Sequence, residues 1–330
     1  MDELLSLPQR LLRAAASLKL TLLGLLLLGI TTVLVYTRQE SATPWLAGPL
    51  LLLALNLVAA VASNKVFRRQ LPLLVFHLAL IVLVLLAAIG RLTYLKGQAE
   101  LTEGAAFQGL TVREAGPLHS GALEQLHFIH EGFDIRYLPG PVLDSNQARL
   151  RWEDTQGRMQ SGTIEPNQPL VLRGYRIYPT SNKGFAPVFV WQAHQREPLL
   201  LSVHLPSYPA NALSQAQTWQ PPGASEALWV LLPVAADLIP ADRPSRFALP
   251  KEQRLVLRRG DKRYEMQPGE RLELGDGTLA YRGLSTWMGY RVFYDWTIPW
   301  MLAACAVALT SMGLHFWRKF GDQPWQASSA

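Results

Sequence analysis

The sequence predicts an α+β membrane protein: four transmembrane helices, with a large external, mainly antiparallel β domain inserted between the third and the fourth. Three observations predict this. The apolar residues, 49% of the 330-residue chain against 17% charged, collect in four runs, Leu20–Tyr36, Trp45–Ser63, Pro72–Gly90 and Ile298–Trp317. Each run is 17–20 residues long, and a bilayer core takes roughly 20 apolar residues of helix. Between the third and fourth runs lie about 200 more polar residues in short alternating stretches, enough for a domain with its own core. The basic residues are also asymmetric. Arg10, Arg13, Lys19, Lys65, Arg68, Arg69, Arg318 and Lys319 fall on one side of a four-helix trace, against Arg38, Arg91, Lys96 and Arg291 on the other. Cytoplasmic flanks carry the excess of Lys and Arg. The expected topology is therefore multi-pass in the cell inner membrane, with both termini cytoplasmic and the β domain periplasmic or in an equivalent lumen. The domain plan is a membrane part over 1–94, a β-rich part over 95–296 and a last helix with a short tail over 297–330.

Along the chain, residues 1–17 carry leucines on one side and Arg10 and Arg13 on the other, which suits a short amphipathic helix at an anionic leaflet. The first apolar run follows basic residues but is long and has no small-x-small cleavage pattern, so it is expected to remain as an anchor. Asn56 sits in the middle of the second run, where an amide is expected to bond a neighbouring helix. SNKVFRRQ turns the chain, and Pro72 opens the third helix, where proline is tolerated.

The external segment reads as strands at LHFIHEGFDIRYL, ARLRWED and QSGTIEP, with a turn at DTQGR. VLRGYRIYP alternates as one further strand, followed by PVFVWQAH and LLLSVHLP. Pro206–Pro250 is expected to be loops with one strand near LWVLLPV. Short strands return after it, split by GD, PG and DG turns. Trp287, Tyr290, Phe293, Tyr294, Trp296 and Trp300 are expected to form an aromatic belt where the chain re-enters the membrane.

Within the spanning segments, His77 is the one polar side chain of the third run, and an intramembrane ionisable residue is a functional candidate. It lies five residues past Pro72, about 7–8 Å into the helix from its cytoplasmic end. Imidazole is a common metal ligand, including for heme iron; the alternative is a hydrogen bond to a neighbouring helix, with Asn56 the nearest candidate partner. His315, near the cytoplasmic end of the fourth helix, is a weaker second ligand candidate. His127 and His130 form HxxH, but residues three apart on a strand point to opposite faces and do not converge on a metal. No separate metal site is expected. The chain carries one cysteine, Cys305, inside the fourth run, and neither CxxC nor CxxCH. That excludes the usual thiol oxidoreductase and covalent c-type heme attachment to this chain. No basic face interleaved with aromatics suggests nucleic acid. No Ser/His/Asp set, phosphate-cradling glycine loop or paired carboxylates suggests catalysis.

Four stretches carry a resemblance: SLKLTLLGLLLL at the first helix, FHLALIVLVLLAAIGRLTYLKGQAELTEG at the third, GTIEPNQPLVLRGYRIYPTSNKGFAPVFVW in the external domain and DWTIPWMLAACAVALTSMGLHFWRKF at the end. Together with the layout they resemble the ResB (or CcsB) family of system II cytochrome c biogenesis proteins. Pro179 and the Asp295–Trp296–Thr297 turn depart from its usual pattern. The resemblance implies a subunit that handles heme b, bound transiently and without a covalent bond. It implies a ResC/CcsA-type partner bearing a tryptophan-rich WWD segment, which this chain lacks, with apocytochrome c as the recipient and thiol-reducing proteins as further partners. It also implies that His77 is an axial ligand of heme iron. Two other readings stand beside it. One is a scaffold that docks apocytochrome c without ligating heme. The other is a membrane-anchored sensor, to which cytoplasmic pieces of only about 19, 8 and 12 residues give no output domain.

Overall fold

The computed structural model describes residues 7–38, 43–121, 123–154, 156–210, 215–234 and 237–321. They divide into two compact units, one drawn from the described parts of Met1–Lys96, Glu114–Gly121 and Tyr294–Ala330, the other from those of Gly97–Arg113 and Ala122–Phe293.

The first unit is helical: α1 (Leu7–Ala15), α2 (Leu18–Arg38), α3 (Ala47–Ser63), α4 (Lys65–Arg69), α5 (Leu71–Thr93) and α6 (Ile298–Phe320). Among the described residues four helices are long and apolar enough to cross a membrane: Leu18–Arg38, Thr43–Ser63, Leu71–Thr93 and Ile298–Phe320. Each contains or closely matches one of the four apolar runs. The short amphipathic helix expected over 1–17 forms as α1; residues 1–6 of that stretch lie outside the described ones. The chain breaks after Ala15, which leaves the last carbonyls of α1 without helical partners. The Leu12 and Ala14 carbonyls accept from Ala16 N and Ser17 N, and Asn56 on α3 supplies the partner of Ala15. Its Nδ2 donates to the Ala15 carbonyl at 2.6 Å and to the Ser17 carbonyl at 3.1 Å, and its Oδ1 accepts from Thr21 Oγ1 at 2.7 Å. The expected interhelical bond of Asn56 is thus present, and it runs to α1 and α2 rather than to His77. At the start of α6 the buried Asp295 accepts from Thr297 N at 2.9 Å and Thr297 Oγ1 at 2.6 Å. Arg91 at the end of α5 stands 3.9 Å from the same carboxylate.

The second unit is built of antiparallel strands in three sheets. In chain order they are β1 (Leu95–Thr102), β2 (Val112–Ala115), β3 (Phe128–Tyr137), β4 (Leu143–Glu153), β5 (Met159–Ile164), β6 (Leu170–Leu172), β7 (Tyr175–Ala193), β8 (Leu199–Ser202), β9 (Ala216–Trp219), β10 (Leu228–Leu231), β11 (Ser245–Arg246), β12 (Leu255–Arg259), β13 (Lys262–Met266), β14 (Arg271–Leu274) and β15 (Gly277–Tyr294). The largest sheet runs β2-β1-β15-β7-β6, with β14 added on β15 and β8 on β7; the others run β13-β12-β10-β9 and β11-β3-β4-β5. Two long strands, β7 and β15, supply much of the core: Phe185, Phe189 and Trp191 from one, Tyr281, Met288 and Tyr290 from the other.

Three expectations are corrected here. VLRGYRIYP is not one strand but a hairpin, with Leu172 opposite Tyr175. Arg173 at φ 51° and Gly174 at φ 84° form its two-residue turn, and positive φ at both positions is what a tight hairpin with the native strand twist needs. Pro206–Pro250 holds three short strands rather than one, β9, β10 and β11. Trp287 and Tyr290 are buried in β15 and do not belong to an interfacial belt, whereas Trp296 and Trp300 are exposed.

Candidate functional site

His77 lies in the second turn of α5, flanked by its own neighbour Phe76 and by Phe67 of α4, with ring centroids 5.2 and 4.5 Å away. Its Nδ1 is 2.8 Å from the carbonyl of Leu73, one turn earlier. A carbonyl only accepts, so Nδ1 carries the proton and donates. The lone pair is then on Nε2, the arrangement that a ligating histidine takes when its other nitrogen is held by a carbonyl. The half-buried ring is neither sealed in the core nor free in solvent. A porphyrin needs only one imidazole from a given side and apolar walls along it, so the donor and its aromatic flanks fit an axial ligand of heme iron. Sequence reasoning found His77 but missed Phe67, because nothing in SNKVFRRQ signals that the turn folds back on the ring.

His315 is half-buried near the C-terminal end of α6, beside the start of α5. It lines a cavity of about 380 Å³ with Arg69, Gln70, Leu71, Pro72, Arg318 and Lys319. His77 does not line that cavity, and no described contact joins the two histidines. A second, apolar groove of about 530 Å³ runs between α5 and α6, lined by Val75, Leu78, Val82, Trp300 and Val307 among others. At 100° per residue, Val75, Leu78 and Val82 share one face of α5, and His77 is about 100–160° away from them. Neither the groove nor the cavity is lined by both histidines.

In the second unit, His127 is exposed and His130 fully buried, so the HxxH pair does not converge. His130 shares the inward face of β3 with the buried Phe128, two residues earlier, and the pairing with β4 shifts register just after it, between His130 and Gly132. Its Nδ1 accepts from Tyr290 OH at 2.7 Å, and its Nε2 is buried without a partner. Burial, with the Arg149 charge adding to it, pushes its pKa down to about 4. Lys183 is also buried, its Nζ 5.3 Å from the centre of the Tyr137 ring, and burial lowers its pKa to about 8. A hydrogen-bond chain absent from the sequence reading joins Glu100, His204, Thr102 and Ser202. Its links are Glu100 to His204 Nδ1 at 3.2 Å, Thr102 to His204 Nε2 at 2.9 Å and Thr102 to Ser202 at 2.6 Å. Its members are about a hundred residues apart in sequence, so no local spacing could reveal it. His204 also stacks on Trp287 at 5.2 Å. Among the described residues no three of His, Cys, Asp and Glu gather in a group that could hold a metal ion.

Comparison with known proteins gives a family and a structural likeness. A search of curated proteins finds no match. Among solved structures, a cytochrome c heme lyase, CcmF, aligns over 91% of this chain and 35% of its own, at 13% identity and a TM-score of 0.27. The chain thus spans about a third of that protein's length. The ResB-like family model matches residues 54–319, from the middle of α3 to the penultimate residue of α6, and the chain belongs to that family.

Proposed function

From membership of the ResB-like family we propose that this protein is the heme-handling membrane subunit of a system II cytochrome c maturation machinery. In this reading it sits in the inner membrane with both termini cytoplasmic. It works with a ResC/CcsA-type partner, and its β-rich unit faces the periplasm, where apocytochrome c arrives. Heme b is cargo, held without a covalent bond, and its iron accepts a nitrogen lone pair at each axial position. The observation that carries the reading is the tautomer of His77: Nδ1–H donates to the Leu73 carbonyl and leaves the Nε2 lone pair to ligate. Phe67 and Phe76 flank the ring and give it apolar neighbours. The second axial ligand comes from the partner, because His315 lines a separate cavity.

The test is the visible spectrum of the full chain co-expressed with its partner, as wild type and as His77→Gly. Loss of a metal ligand or its support costs at least about tenfold in affinity, so the variant is expected to lose most of its Soret absorbance. Added imidazole, which can enter the vacated space, is expected to restore it. An unchanged heme content in His77→Gly would sink the assignment and leave the chain as a scaffold for apocytochrome c.

A further inference from the structure

The basic cavity and the apolar groove lie on the same seam. Pro72 and Leu71 at the floor of the cavity and Val75, Leu78 and Val82 in the groove follow one face of α5, and the groove begins about one turn beyond the cavity. On α6, Arg318 and Val307 are eleven residues apart, three helical turns, and so share a face as well. The seam therefore offers a cationic end followed by an apolar trough.

The cations at that end are not neutralised by a carboxylate among the described residues; Lys319 Nζ lies 5.3 Å from the centre of the neighbouring Phe320 ring. Among the described residues Arg69, Arg318 and Lys319 form no ion pair with a carboxylate, and all three are exposed. The sequence contains no acidic residue between Glu40 and Glu100, or between Asp295 and Asp322. Three cations converging on one cavity repel one another, and an oxyanion relieves that repulsion; guanidinium groups match phosphate oxygens in pairs. The exposed start of α5 adds its own positive end. We propose that the α5/α6 seam binds an anionic glycerophospholipid, with the phosphate in the cavity of Arg69, Arg318 and Lys319 and an acyl chain in the groove toward Trp300. A free phosphate would account for the cations but not for the trough. Basic pockets between membrane helices are a known physical solution for anionic headgroups. His77 lines neither the cavity nor the groove, so the proposal does not rest on heme binding.

The experiment reconstitutes the full chain into nanodiscs of mixed phosphatidylcholine and phosphatidylglycerol and counts the lipids that stay bound in native mass spectrometry. Wild type is expected to retain phosphatidylglycerol in preference to phosphatidylcholine. Each cation near a membrane surface contributes about 1 kcal/mol toward an anionic lipid, a factor of about five. R69Q/R318Q/K319Q is therefore expected to reduce the preference on the order of tenfold to a hundredfold, and R69K/R318K to retain most of it. Val307→Trp fills the groove and leaves every charge in place; it is expected to lower phosphatidylglycerol retention as well. Equal retention of the two lipids by wild type overturns the proposal and needs no variant to fold. So does displacement of phosphatidylglycerol by inorganic phosphate together with an unaltered Val307→Trp, which would make the site one for a soluble anion.

Discussion

One imidazole does two different things in this protein. His77 keeps a lone pair on offer at Nε2, whereas His130 is sealed in the core with Tyr290 donating to its Nδ1. Burial raises the Tyr290 hydroxyl pKa, so that group stays protonated and the 2.7 Å bond joins two neutral side chains. Protonating His130 would place a charge in the core beside Arg149. Its folded pKa of about 4 lies below the ordinary 6.5, so between those values the unfolded chain binds a proton that the folded chain refuses. Stability therefore rises with pH across that window and is lost as pH falls through it. A gap of this size corresponds to about 3 kcal/mol at its full extent. Denaturant unfolding of the full chain in detergent is expected to show a midpoint that drops from pH 7 to pH 4. His130→Gln, which still accepts from Tyr290 but does not titrate, is expected to flatten that acid limb. A variant with the same pH slope as wild type would remove His130 as its cause.

At the scale of elements, Asn56 is the tie between α3 and the α1–α2 corner. Its removal leaves Thr21 Oγ1 and two carbonyls to find other partners. Asn56→Leu is expected to cost about 1 kcal/mol, the usual size of an interhelical hydrogen bond in a membrane. A double-mutant cycle with Thr21→Val would measure the shared part as non-additivity; strictly additive losses would show that the 2.7 Å bond contributes nothing. The helices themselves were legible in the sequence because a run of some twenty apolar residues has few other uses. The strands were less so. β7 runs nineteen residues through Pro179 and Pro187, residues that ordinarily mark a break, and the Arg173–Gly174 turn hides inside an unbroken alternation because arginine seldom takes positive φ. Trp287 and Tyr290 carried an ambiguous signal, since amphipathic aromatics suit both an interface and a hydrogen-bonded core. Of the candidate site, the proposed ligand His77 could be read from one polar side chain in an apolar run. Its flanking ring, Phe67, and the separation of His315 from it depend on packing that no local pattern encodes.

For the whole molecule the decisive question is which way it faces, because the proposed site gains its meaning from the side of the membrane that His77 lies nearest. The distribution of Lys and Arg is the basis of the proposed orientation, with the α3–α4 turn in the cytoplasm and the β-rich unit outside. Cys305 is the chain's single cysteine, so a Cys305→Ser background is silent to thiol reagents. Lys65 and Gln156 are exposed, one at the start of α4 and the other in the turn between β4 and β5. In intact cells with a permeable outer layer, a membrane-impermeant maleimide is expected to label Gln156→Cys, and to label Lys65→Cys only after the inner membrane is opened. The opposite pattern would put His77 in the outer leaflet, where cargo from the cytoplasm would meet it last rather than first. The proposal that His77 receives heme on entry would then fail, even if its variant had lost heme. The expected pattern together with heme loss in His77→Gly would support ligation close to the cytoplasmic entrance. The two experiments separate a ligand in the wrong leaflet from a correctly placed residue that does not ligate.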